Sequence, residues 1–271
     1  MSTTATRDPV VSVVIPCYGQ AAYLPEAIES IVAQTYPSWE AIIVDDGSPD
    51  DTAAVARRLA AIHGPRIRLL EQANAGVSAA RNAGIAAAAG RYILPLDPDD
   101  RVAPRMLELT VAALDAEPSV AVAYVEMMSF GAETGEGTSG RIEYDPDLLT
   151  AWNFVCNTSL FRKDAWAATG GYRTDMVWGY EDWDFWLACA SAGLRMKRVP
   201  EALYFHRSRP DSRSTTATQH RGELMQLLVS HHPQFLTPRR RAIGQLKYLL
   251  HRVRRKLGRM ASAFAPRRHV T

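Results

Sequence analysis

The apolar positions of this chain switch between two periods along its first half. Val10–Ile15 is apolar at every position but Ser12, the pattern of a strand buried on both faces. The period then lengthens: Leu24, Ile28, Ile31 and Val32 fall on one helical stripe that Pro25 opens. Trp39–Val44 is a second strand and stops at Asp45-Asp46-Gly47. Ser48 is placed to cap a second helix, with Pro49 and two acids in its first turn, Val55, Leu59 and Ile62 as its stripe, and Gly64 at its end. Ile67–Leu70 reads as a third strand and Val77 to Ala89 as an alanine-rich helix closed by Gly90. Arg91–Leu96 is a fourth strand, running into Asp97-Pro98-Asp99-Asp100.

Strands and helices alternating with short links imply right-handed crossovers and a mainly parallel sheet, an α/β fold. Ligands of such sheets sit beyond the carboxyl ends of the strands. Pro16-Cys17-Tyr18-Gly19 and both acidic runs fall there. The second half is less regular. Pro104–Glu117 reads as helix, Val120–Val125 as strand, Glu133–Gly140 as a polar glycine-rich loop, Ser159–Arg162 as a short strand and Glu181–Gly193 as a helix. The pattern divides the chain into one domain over residues 1–215, with halves at 10–100 and 101–215, and a helical tail over 216–271.

With 271 residues, 47% of them hydrophobic and 22% charged, the chain can bury a substantial core. No apolar run approaches the ~20 residues that cross a bilayer, and Met1 to Pro9 lacks the pattern of a signal peptide. Cys17, Cys156 and Cys189 are scattered without CxxC spacing, which points to reduced thiols and a cytoplasmic setting. The net charge of +2 hides an asymmetry: Pro238–Thr271 holds eleven basic and no acidic residues, leaving 20 basic against 29 acidic before it. Within that tail, Ile243, Leu246, Leu250, Val253, Leu257 and Met260 recur at helical spacing over Ile243–Phe264. A basic amphipathic helix suits peripheral contact with the anionic inner face of a membrane. Packing on the domain with solvated charges fits the same pattern. Nucleic acid is excluded as a partner, since no aromatics interleave the cations and the body is acidic.

Each polar cluster has a structural explanation beside a chemical one. Asp97, Asp99 and Asp100 suit a helix N-terminus, yet carboxylates crowded at a strand end are also hard oxygen ligands for Mg2+ or Mn2+ bridging substrate phosphates. Asp45-Asp46-Gly47-Ser48 forms a turn, and one of its carboxylates can accept the N3–H of a pyrimidine. Asn74 to Asn82 enters a helix with Gly76 at its start and Arg81 one turn in, a phosphate neighbourhood or simply a capped core helix. Glu181-Asp182-Trp183-Asp184 is an acidic first turn; Glu181 and Asp184 share a face, and Asp182 points elsewhere, where an ionised carboxylate can take a proton.

In order, Val14-Ile15-Pro16-Cys17-Tyr18, Asp45 to Ser48, Asn74 to Asn82, Asp97 to Asp100, Gly170-Gly171-Tyr172 and Glu181 to Asp184 resemble the family 2 nucleotide-sugar glycosyltransferases. The resemblance spans about Val10 to Ser214. It implies the GT-A fold, a Rossmann-like sheet flanked by helices, and an inverting, metal-dependent transfer from a UDP- or dTDP-sugar. It further implies that Pro16 and Tyr18 line the nucleoside pocket, that Asp46 reads the base, and that Arg81 lies near the nucleotide. Asp99 and Asp100 would hold Mn2+ or Mg2+, with Asp99 also touching the nucleotide and Asp97 in support, and Asp182 would be the general base. Leu203 to Arg207 resembles the segment folding over the diphosphate, with Arg207 or Arg209 as the contact and Ser212 and Ser214 as its serine pair. His206 departs from the pattern and is read as packed or solvent-facing. Asn157, Trp178, Tyr180 and Glu181 are the residues assigned to a carbohydrate, lipid-linked or small-molecule acceptor or to the sugar. The Gln-x-x-Arg-Trp motif of processive members is missing from Leu187 to Arg195, which favours transfer of a single sugar. A sugar nucleotidyltransferase and an inactive sugar-nucleotide-binding protein stand as alternatives.

Overall fold

The computed structural model describes residues 9–132, 134–136, 139–209 and 213–263. Ser212 and Glu133 fall outside them, and the side chains of Ser214 and Met260 are likewise undescribed. The first half is β1 (Val11–Cys17), α1 (Leu24–Val32), β2 (Trp39–Asp45), α2 (Thr52–His63), β3 (Ile67–Glu71), α3 (Val77–Ala87) and β4 (Tyr92–Pro95). Every position of β1 and β2 is buried, as strands covered by helices on both faces require. The order β3-β2-β1-β4 is parallel throughout. β1 and β2 end level, with Cys17 opposite Asp45. Tyr18 and Asp46 therefore leave the sheet side by side.

One detail of the expected helix starts is corrected. α2 begins at Thr52, and Ser48 does not cap it. Ser48 instead donates its backbone N–H to Asp45 Oδ1 at 3.2 Å and accepts from Gly19 N at 3.1 Å. It ties the loop after β1 to the loop after β2, a tertiary role that helix periodicity cannot signal.

The second half contains β5 (Arg101–Val102), α4 (Met106–Ala116), β6 (Val120–Gly131), β7 (Gly135–Glu136), β8 (Leu160–Arg162), α5 (Lys163–Thr169), α6 (Glu181–Ser191), β9 (Arg195–Ser208), α7 (Arg213–Gln219), α8 (Arg221–His231) and α9 (Pro238–Ala263). The strands extend the same sheet in the order β4-β8-β6-β9-β5, with β7 on β6. β8 is antiparallel to both neighbours, while β6 and β9 run parallel. β6 runs past its expected end, and β9 has no apolar run to announce it: exposed and half-buried positions interrupt its 14 residues. Residues 213–231 also depart from a simple tail, forming two helices of which α8 buries Leu224 and Leu228. Among the described residues, no helix is long and apolar enough to cross a membrane.

Candidate active site

A cavity of about 900 Å3 opens along the carboxyl edge of the sheet. That volume matches a ligand of drug or dinucleotide size. Its wall includes Pro16, Tyr18, Asp46, Arg81, Asp97, Asp99, Asn157, Tyr180, Glu181, Asp182 and Arg207. The residues singled out across the two halves of the sequence thus converge on one place. Trp178 and Asp100 are the exceptions.

Asp46 stands at one end. Gly47 makes its position reachable: at φ +70 a Cβ would lie 2.9 Å from Asn74 N, so only glycine lets the two loops approach. Asp46 Oδ1 accepts from Gln72 Nε2 at 2.7 Å and Ala75 N at 2.9 Å, and Oδ2 accepts from Gly76 N at 2.8 Å. These are N–H groups that the sequence assigns to a phosphate neighbourhood, and Asp46 already occupies them. A carboxylate has about four lone-pair sites, so one stays available for a base N–H. Tyr18 is 53% exposed at the rim, where its ring can stack on a base.

The acidic turn after β4 divides its work. Asp97 accepts from Arg81 Nη2 at 2.8 Å and from Asn157 Nδ2 at 2.9 Å. Asp100 is buried and turned to β9: it accepts from Tyr204 Oη at 2.5 Å and Arg207 N at 2.7 Å, with His206 Nδ1 at 3.3 Å. It is absent from the cavity wall, so the expected ligand pair Asp99 and Asp100 is not presented together. Asp99 faces the cavity and pairs with Arg209 Nη2 at 2.8 Å. Burial, then Asp100 and Asp97 nearby, push its carboxyl up to about 6 despite Arg209. Such crowded negative charge is what a hard divalent cation relieves. Among the described residues no group of three or more His, Cys, Asp or Glu is arranged around one metal position. Mg2+ or Mn2+ held by one or two carboxylates and substrate phosphates needs none. Asp97 and Asp99 therefore fit the ion as donors, and Asp100 braces them.

Arg207 is turned toward its own fold. Its Nε donates to Asp99 O at 2.8 Å, and its guanidinium pairs with Glu26 beside Phe130. Arg209 is the cation presented to the acidic turn. His206 lines the cavity with its side chain 36% exposed, and its hydrogen bond to Asp100 raises its pKa.

At the other end, α6 starts with strained backbone. Tyr180 has φ +63, the one non-glycine residue with positive φ among the described residues, and it lines the cavity. Glu181 turns to Arg81 at 2.8 Å, and Asp184 to His231 and His232 at 2.8 and 2.9 Å. Glu181 and Asp182 both line the cavity, and Asp184 does not. Asp182 Oδ1 accepts from Trp183 N at 2.8 Å and its Oδ2 from Asn153 Nδ2 at 2.9 Å. Burial and adjacent Glu181 push it up to about 6, against Arg81, Trp183 and Asn153. Sequence reasoning missed Asn153, which stands in no motif between Trp152 and Phe154. Trp178, expected at the acceptor, instead stacks on His220 with ring centroids 4.4 Å apart.

Comparison with known proteins shows the family and the fold. The family model described as "Glycosyl transferase family 2" matches residues 12–177. The chain is 33% identical over 208 residues to the putative glycosyltransferase EpsE of Bacillus subtilis, covering 75% of each. It is 32% identical over 212 residues to the uncharacterized protein y4gI of Sinorhizobium fredii, covering 76% of the chain but 23% of that longer protein. Among solved structures, residues 1–349 of S. aureus TarS in complex with UDP-GlcNAc superpose with a TM-score of 0.68 at 19% identity, over 82% of this chain and 66% of that one. The mannosyltransferase PcManGT of Pyrobaculum calidifontis, in complex with GDP-Man and Mn2+, gives 0.62 at 20% identity over 97% and 82%. The mixed, mostly parallel sheet flanked by helices is thus the GT-A fold, and the chain belongs to glycosyl transferase family 2.

Proposed function

We propose that this glycosyltransferase moves one sugar from UDP or dTDP to an acceptor hydroxyl, with inversion and with Mn2+ or Mg2+ as cofactor. One observation carries the reading: Asp46, Asp99 and Asp182 face a single cavity from three different elements. Asp46 accepts the pyrimidine N3–H while Tyr18 and Pro16 cover the ring. Asp99, with Asp97 beside it, would hold the metal ion, which when bound supplies positive charge against the diphosphate. The complexes of TarS with UDP-GlcNAc and of PcManGT with Mn2+ support a nucleotide sugar and a divalent ion on this fold.

At the acceptor end, Asp182 takes the hydroxyl proton, and the oxygen attacks the anomeric carbon as the bond to the diphosphate breaks on the opposite face. Asn153 holds Asp182 in place through Oδ2. Its own Oδ1 is buried and meets no donor among the described residues, so it suits a sugar hydroxyl. Tyr180 and Asn157 complete that wall. The acceptor is a carbohydrate, lipid-linked or small molecule, and the route is biosynthesis of a polysaccharide, glycolipid or other glycoconjugate. Three free, buried cysteines support a cytoplasmic setting. A calorimetric screen with Mn2+ against UDP-, dTDP- and GDP-sugars tests the donor: pyrimidine donors bind and turn over. Binding of none of them would overturn the reading.

A further inference from the structure

The helix α9 presents two opposite faces, and only one of them is covered by the protein. At about 100° per residue, Arg240, Gly244, Lys247, Tyr248 and His251 share one side, and these are its buried or half-buried positions. That side is docked firmly. A Cβ on Gly244 would lie 2.3 Å from Asp147 O, so helix and body touch backbone to backbone. Lys247 reaches Asp145 and Asp147 at 2.8 and 3.1 Å, Arg240 reaches Asp147 at 2.8 Å, and Tyr248 and His251 pack on Trp152 at 5.6 and 5.3 Å.

Leu246, Leu249, Leu250, Val253 and Leu257 lie on the far side, within an arc of about 100°. They are 51 to 59% exposed. Exposed Arg252, Arg254 and Lys256 flank them, and the helix holds no acid. A continuous apolar stripe pointing away from the fold has nothing to gain from water. Its flanking charges select the occupant. A second copy laid face to face would bring the same cations together without compensation, whereas an anionic bilayer accepts the apolar stripe between headgroups and the cations upon them.

We infer that the outward face of α9 seats the protein on an anionic lipid surface, while its inner face fastens it to the catalytic domain. The sequence pattern leaves membrane contact and packing on the domain as alternatives; the helix does both, on opposite sides. Trp152, clamped by α9, adjoins Asn153, which holds Asp182. Resting on the glycosyltransferase reading, this arrangement favours a lipid-linked acceptor, met at the surface on which the protein lies.

The test is co-sedimentation of the full chain with vesicles of phosphatidylcholine alone and with phosphatidylglycerol added, without nucleotide. The chain should pellet with the anionic vesicles only, and added salt should release it. Leu249→Glu/Val253→Glu should weaken vesicle binding by about tenfold or more, with melting temperature and UDP affinity unchanged. Arg252→Glu/Lys256→Glu should do the same through charge. UDP affinity reports on the donor site independently, so its loss in the wild type would count against the proposed reaction and not against the surface. Failure of the wild type to pellet with anionic vesicles would overturn the inference. So would a dimer in light scattering that Leu249→Glu/Val253→Glu converts to monomer, because a second copy would then own the face.

Discussion

Arg81 and Glu181, 100 residues apart in the chain, meet at 2.8 Å in the cavity wall. Arg81 is 2% exposed and bonds Asp97 with its other nitrogen, so one guanidinium joins α3, the acidic turn and the start of α6. Burial alone would disfavour its charge; Asp97 and Glu181 outweigh that and keep it protonated. Arg81 thus ties α3 and the turn after β4 to the start of α6, the helix that carries Asp182.

Removing Arg81 takes a buried guanidinium away from Asp97 and Glu181. Arg81→Ala should destabilise the fold by about 3–5 kcal/mol in urea unfolding. Arg81→Lys should recover only part of it, since one ammonium does not reproduce the planar fork that spans both acids. Stability close to wild type in Arg81→Ala would contradict the role.

Asp46 offers a sharper distinction. Asp46→Ala should weaken UDP and dTDP binding by about 1.5–3 kcal/mol, and GDP should bind the wild type more weakly than either. Gln72→Ala removes one bond within the same turn and leaves the carboxylate, so its effect on UDP affinity should be smaller. Calorimetry of these variants separates base reading from loop support.

Much of this architecture is legible in the sequence, and the reasons are physical. Mostly apolar runs, broken only by Ser12 and Glu40 before the strand ends, mark β1 and β2, and the end of each strand places Tyr18 and Asp46 without any knowledge of packing. The motif Glu181 to Asp184 points to Asp182, which lines the cavity. Asn153 was not legible, because its importance lies in a contact 29 residues away in a segment without period. Asp100 and Trp178 carry suitable chemistry, but the sequence does not tell that the first turns to Tyr204 and the second to His220. The faces of α9 were legible as a stripe, yet only Gly244 against Asp147 shows which side is docked.

The metal assignment is tested by chelation. EDTA should abolish turnover and weaken UDP binding, with Mn2+ or Mg2+ restoring both. Asp99→Asn should raise the Mn2+ concentration needed for half-maximal rate, while the fold tolerates it, since the native carboxyl is already held at a raised pKa of about 6. Full activity in EDTA would remove the metal from the account.

The raised pKa of Asp182 gives a pH dependence in two observables. As a base it works ionised, so kcat at saturating donor and metal should rise with pH and level off above about 6. Asn153→Ala removes a bond that favours the carboxylate and should move that limb to higher pH. For stability the sign runs the other way. A carboxyl whose folded pKa lies above its unfolded value of about 3.9 favours folding at low pH and loses that contribution as pH rises through about 6. Asp182→Asn should thus be more stable than wild type at pH about 8 by roughly 1–3 kcal/mol, with the difference shrinking as pH falls.

If Asp182 removes the acceptor proton, kcat measured beside donor Kd for Asp182→Asn, Glu181→Gln and Asp184→Asn shows it. Asp182→Asn should lower kcat by about 10²–10⁴ and leave donor Kd within a factor of a few. Glu181→Gln and Asp184→Asn should reduce kcat less, because Arg81 and the two histidines claim those carboxylates. Near-normal turnover in Asp182→Asn, with either neighbour inactive, would contradict the account and place the base on the other carboxylate.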